Sequence, residues 1–176
     1  MQIPFDYEKT LEEFFPPGMK TDAHGNYYIK IGETKTMFCA HLDTYCYQYK
    51  RVWHVIDDNI IKTDGTTTLG GDDKAGIVVM IKMIEAGIPG LYYFFIGEER
   101  GGIGSHALAD VYESVDYLKD VKRCVSFDRR NYHSIITSQM GTDCCSPEFA
   151  DALCAAYTAN GLSMKPDDTG IYTDSA

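Results

Sequence analysis

The stretch Leu69-Gly70-Gly71-Asp72-Asp73-Lys74-Ala75-Gly76-Ile77 constrains this chain more than any other. Two adjacent carboxylates stand directly behind two glycines. The residues that follow recur at helical spacing, Ile77, Ile81 and Ile84, until Gly87 stops the run. Glycines let the backbone turn sharply into a helix, and acidic residues at its first turn are favoured by the helix dipole. Taken alone, the stretch reads as well for a helix cap as for a site. What favours a site is its company: His41-Leu42-Asp43 upstream, then Gly97-Glu98-Glu99 and Asp128 downstream.

A chain of 176 residues has the size of one domain and can bury a proper core. Its 44% hydrophobic content marks it as globular. A formal charge of −10 and a pI of 4.8 exclude nucleic acid as the expected partner, because phosphates demand a basic face. Clustered carboxylates call instead for a cation. The N-terminal segment has acidic residues and no apolar core, so no signal peptide is expected. No run approaches the roughly 18 apolar residues of a membrane span. The six cysteines lack CxxC spacing, which points to reduced thiols in a cytoplasmic protein.

Along the sequence, residues 6–15 place Tyr7, Leu11, Phe14 and Phe15 on one side of a short amphipathic helix, ended by Pro16-Pro17-Gly18. Residues 26–31 and 36–40 read as strands around a turn at Gly32-Glu33. His41 and Asp43 then lie at the second strand's C-terminal end, on one face by the strand period of two. Residues 52–56 and 60–63 flank Asp57-Asp58-Asn59 as a hairpin. Residues 91–96 form an apolar run expected to be a fully buried strand, ending on Gly97-Glu98-Glu99. A helix is expected near 105–112, a second buried strand at 124–127 ending on Asp128, and another strand at 132–138. Ser146-Pro147 starts a helix with an N-cap and a proline at its first position. Phe149, Leu153 and Tyr157 form its core face, and Gly161 closes it. The expected fold is α/β, a mixed, largely parallel central sheet flanked by helices in a single domain over residues 1–176. The key polar groups fall at strand C-termini, where open α/β sheets place their sites.

One imidazole with several carboxylates, and no thiolate, suits zinc, manganese or cobalt better than copper. A carboxylate has two oxygens and can bridge two ions, and a carboxylate that is not a ligand can act as general base. Each piece also has an ordinary reading. A strand-end His-x-Asp is often structural, paired glutamates are often solvated, and Asp128 could pair with Arg129 or Arg130. Together and in this order, the pieces are far more specific.

Those pieces resemble the co-catalytic zinc exopeptidases: peptidase T, the glutamate carboxypeptidases and the compact zinc aminopeptidases. The matching text is Ala40-His41-Leu42-Asp43-Thr44, the Leu69 to Gly76 stretch, Gly97-Glu98-Glu99 with Gly104-Ser105, and Phe127-Asp128; Asp22-Ala23-His24-Gly25-Asn26 resembles the family's entry strand. The Asp-Asp-Lys-Ala-Gly wording is nearest to peptidase T. The resemblance implies that His41 and Asp128 bind a first metal ion and that Asp72 bridges to a second, which Glu99 also binds. It makes Glu98 the general base and Asp43 the group that orients the His41 ring. It also implies a cis Asp72–Asp73 bond.

Two departures follow. The residues after Asp128 are too few for the lid or dimerisation domain of large relatives, so a compact form is expected. The family's last metal-binding histidine, which comes after a segment like Thr173-Asp174-Ser175, has no counterpart, and His24, His54, His106 and His133 match it poorly. The second metal site is therefore expected to be incomplete, and the sequence to be truncated at its C-terminus relative to the family. The resulting expectation is a cytoplasmic, zinc-type exopeptidase, an amino- or tripeptidase, acting on small peptides, with oligomers permitted. The alternative is a catalytically impaired or truncated relative that serves as a metal- or peptide-binding module.

Overall fold

The computed structural model describes residues 12–45 and 52–176. Most of the helix expected at 6–15 lies outside them; its described end, residues 12–14, is a 3₁₀ turn. The protein forms two compact units, Met1–Asp128 and Arg129–Ala176.

The first unit is built on a five-stranded sheet in the order β1-β2-β6-β3-β7, with β1 Lys20–Thr21, β2 Tyr27–Ile31, β3 Thr36–His41, β6 Gly90–Phe95 and β7 Arg123–Ser126. β6 lies at its centre, antiparallel to β2 and parallel to β3, which is in turn parallel to β7. The sheet is thus mixed, and its parallel part carries the site residues. All six residues of β6 are buried, as its unbroken apolar run requires. Its side chains alternate between two cores. Tyr92 and Phe94 pack with Ile77, Met80, Ile81 and Ile84 of helix α1 (Gly71–Glu85), while Leu91, Tyr93 and Phe95 pack with Leu108 and Leu118. Each such large side chain contributes about 1.5–3 kcal/mol by leaving water.

Three expectations shift within this unit. β7 is only partly buried, because as an edge strand it has a single neighbour. The helix expected at 105–112 is α2, Ile103–Ala109, beginning directly after Gly102, whose φ of 64° reverses the backbone. The hairpin forms as β4 His54–Asp57 and β5 Ile60–Thr63 about Asp58-Asn59, with Ile56, Ile60 and Ile61 all exposed.

In the second unit, residues 132–138 do not make one strand. β8 (Ser134–Ile136) pairs parallel with β11 (Lys165–Asp167), while β9 (Ser138–Gln139) pairs with β10 (Thr142–Asp143). The change of partner falls at Thr137, whose N–H donates to Asp167 O and whose carbonyl accepts from the N–H groups of Cys144 and Cys145. Helix α3, Pro147–Ala159, starts where expected, with the Ser146 hydroxyl accepting from the Phe149 N–H. No disulfide joins the described cysteines. None of the described helices is long and apolar enough to cross a membrane.

Candidate metal centre

Parallel strands end at the same edge of their sheet. Register sets His41 beside Phe95 and Cys39 beside Ser126, so the backbone leaving β6 reaches Glu98, and the backbone leaving β7 reaches Asp128, at the level of His41. The fourth contributor, Asp72, arrives from the start of α1. Gly70 has a left-handed φ of 70°, Asp72 and Asp73 keep non-helical angles, and the bond between them is cis.

His41 is 1% exposed and is held through both ring nitrogens. Nδ1 lies 3.0 Å from the Asp43 carbonyl oxygen and 3.4 Å from Asp43 Oδ1, and Nε2 lies 3.0 Å from Asp72 Oδ1. Burial alone would depress the imidazole's pKa. The carboxylates of Asp43, Asp72, Asp73 and Asp128 outweigh it and raise the value from 6.5 to about 11. Asp43 is likewise disfavoured as an anion by burial, but its bond to His41 and the N–H of Glu98 hold it below the usual carboxylate range. Hydrogen bonding to His41 lowers Asp72, against partial desolvation. Burial pushes Asp128 up.

Ligand atoms of His41, Asp72 and Asp128 all lie within 4.8 Å of one another, and so do those of His41, Glu98 and Glu99. One imidazole nitrogen with hard carboxylate oxygens is a donor set that fits a divalent ion of the zinc, manganese or cobalt kind. Of the side chains singled out in the sequence, Asp72 and Asp128 thus meet at His41, Glu98 and Glu99 also meet at His41, and Asp43 braces that ring at Nδ1. Arg129, a candidate partner for Asp128, instead binds Asp167 at 2.7 Å and Ser134 at 3.2 Å within the second unit.

Sequence reasoning missed the supporting groups. Asp73 is 3% exposed and accepts from the backbone N–H of His41 (3.3 Å) and of Gly76 (3.1 Å). Burial raises its pKa to about 7. A Cβ on Gly76 would stand 2.5 Å from Asp73 Oδ1, so the glycine is where the buried carboxylate fits. The Asp-Asp-Lys-Ala-Gly spacing was the available signal for this turn. Asn26, fully buried, spends its amide on Asp22 Oδ2 (2.9 Å), Gly104 O (3.0 Å) and the Ile96 N–H (3.2 Å). It thereby ties the entry to β2 to the loop after β6. Asp43 also has a second role. Its Oδ1 and Oδ2 accept from the N–H groups of Glu98 (3.0 Å) and Glu99 (3.1 Å) and fix the Glu98–Arg100 turn.

Comparison with known proteins agrees with this fold. The chain superimposes on a tripeptidase from Staphylococcus aureus and on the aminopeptidase PepT from Bacillus cereus, each with a TM-score of 0.59, 26% identity, and coverage of 77% of this chain and 43% of the other. It also matches the Pyrococcus horikoshii TET1 peptidase, which can assemble into a tetrahedron or a large octahedral shell, with a TM-score of 0.58 and 17% identity over 98% of this chain and 83% of that one. The last likeness shows the fold alone. In sequence, 78 residues are 44% identical to the uncharacterized protein YqjE of Bacillus subtilis, over 40% of this chain and 21% of the relative. No protein-family model matches. The architecture is that of peptidase catalytic domains, and the chain spans less than half the length of the tripeptidase and of PepT.

Proposed function

We propose that this protein is a metal-dependent exopeptidase that hydrolyses small peptides. The observation that carries the reading is the convergence of His41, Asp72 and Asp128 within 4.8 Å at the edge where three parallel strands end, in a fold shared with a tripeptidase and an aminopeptidase. His41, Asp72 and Asp128 would hold a first ion, and Asp72 with Glu99 a second. When bound, zinc, or manganese or cobalt, supplies Lewis acidity that polarises the scissile carbonyl and makes water acidic at neutral pH.

The protein's own residues do the rest. Asp43 fixes the His41 ring from the far side, so that Nε2 faces Asp72. Glu98, beside the same ring, takes a proton from the attacking water and returns it to the leaving amine. A first ion would draw on three side chains and a second on two among the described residues, so one would be held more firmly than the other. Assembly into oligomers is compatible with the fold, and analytical ultracentrifugation reads it directly.

The test is hydrolysis of di- and tripeptides by the purified protein, before and after chelation and with zinc, manganese or cobalt restored. Metal-dependent release of terminal residues is the expected result. Firm metal binding with no turnover on any peptide would reduce the protein to a metal-binding module.

A further inference from the structure

The short segment leaving β3 is bonded, residue by residue, to two different parts of the site. Asp43 accepts from the N–H groups of Glu98 and Glu99. Thr44 Oγ1 accepts from Lys74 Nζ at 2.6 Å, two residues after Asp72. The Tyr45 N–H donates to Glu99 Oε1 at 3.2 Å. Three consecutive residues thus grip the glutamate turn, then the start of α1, then the glutamate turn again.

The start of α1 has other ties to β3, through His41 Nε2 to Asp72 and the His41 N–H to Asp73. The first of these joins two atoms that an ion would claim as ligands, so it cannot also serve as the brace of a loaded site. The Asp73 bond joins α1 to the same segment at His41, two residues before Asp43. The Thr44–Lys74 bond joins it between Asp43 and Tyr45, the two residues whose bonds hold the glutamate turn. We infer that Thr44 and Lys74 are positioning residues that set the separation between Asp72 and Glu99, and with it the affinity for the second ion. This rests on the proposed metal site but not on peptide hydrolysis. The positive charge of Lys74 also lowers the Asp72 pKa, so the variants must separate geometry from charge.

Thr44→Val keeps the shape and the lysine charge but removes the acceptor; Thr44→Ser restores the hydroxyl. Cobalt titration followed by absorbance and calorimetry reads the two ions separately, and thermal unfolding of the metal-free protein checks the fold. The expected result is a second-ion affinity weakened about tenfold or more in Thr44→Val, in the range of other groups that orient ligands. The first ion should stay within about twofold, and Thr44→Ser should recover most of the loss. Where turnover is measurable, kcat should fall with KM little changed. Four results overturn the inference: a wild-type protein that takes a single equivalent up to millimolar cobalt, Thr44→Val matching wild type, both ions weakened alike, or no recovery in Thr44→Ser. Two bound ions without peptidase activity would instead count against the proposed reaction and leave the positioning role standing.

Discussion

The two acidic pairs, Asp72-Asp73 and Glu98-Glu99, look alike in sequence and are used differently. Each comes shortly after a glycine with left-handed φ: Gly70, two residues before Asp72, at 70°, and Gly97, directly before Glu98, at 65°. In the first pair the residues part. Asp72 is exposed at the His41 ring, whereas Asp73 turns inward and satisfies the N–H groups of Gly76 and His41. In the second pair the turn's N–H groups are satisfied from outside, by Asp43, and both glutamates reach the His41 ring. The difference follows from a general demand: N–H groups at the start of a helical turn need acceptors. Where the pair must supply its own acceptor, one acid becomes structural. Where a neighbouring strand supplies it, both acids remain available to the site.

The largest effect is expected in the second pair. Glu98→Gln keeps the side chain's size and removes the base, so turnover should fall roughly 10²–10⁴-fold with metal content unchanged. Equal rates at equal metal loading would remove Glu98 from that role and make the second pair no more chemical than the first.

Opposite behaviour of the two aspartates is the next test. Asp72→Asn should weaken metal binding by about ten- to a hundredfold with little loss of fold stability. Asp73→Ala leaves two buried N–H groups without their acceptor, each costing about 1–3 kcal/mol, and should lower the denaturation midpoint sharply. Similar stability losses in both variants, read by urea unfolding with chelator present, would erase the distinction drawn between them.

The strands of the first unit, α1, and the placing of Asp72, Asp128 and Glu98 each near His41 were legible because they depend on period and order. An apolar run like that of β6 can only be buried, and parallel strands bring their ends together. The division of labour within Asp72-Asp73 was not legible, since it depends on which backbone N–H groups lack acceptors in three dimensions. The Lys74–Thr44 bond was hidden for the same reason: the partners are 30 residues apart and neither alone signals a contact. Residues 132–138 misled because strand propensity does not reveal a change of partner at Thr137.

A smaller effect concerns Gly76. Alanine favours a helix over glycine by about 1 kcal/mol, but here its Cβ would press on the Asp73 carboxylate at 2.5–2.9 Å. That carboxylate is pinned by two N–H groups and cannot swing away. Overpacking of this kind costs about 1–3 kcal/mol, so Gly76→Ala should destabilise on balance. A rise in melting temperature would show that Asp73 is less firmly held than its bonds imply.

The subtlest contrast is in pH dependence, measured on metal-free protein. Burial raises Asp73 from 3.8 to about 7, so between those values the folded protein keeps a proton that the unfolded form has lost. The associated stability is complete below the unfolded value and disappears as pH rises through about 7. His41 acts in the same direction in a higher window, its contribution fading as pH rises from 6.5 through about 11. Asp72, with a lowered pKa, works the other way, losing its contribution only as pH falls below the ordinary carboxylate value. The metal-free protein should therefore lose stability steadily as mildly acidic solution is made neutral and then alkaline. Asp73→Asn should flatten the lower part of that slope and leave the upper part, which belongs to His41. Asp72→Asn should leave the lower part in place, and denaturant titrations across both windows distinguish the two. An unchanged slope in Asp73→Asn would mean that the buried member of the first pair is not the group that titrates there.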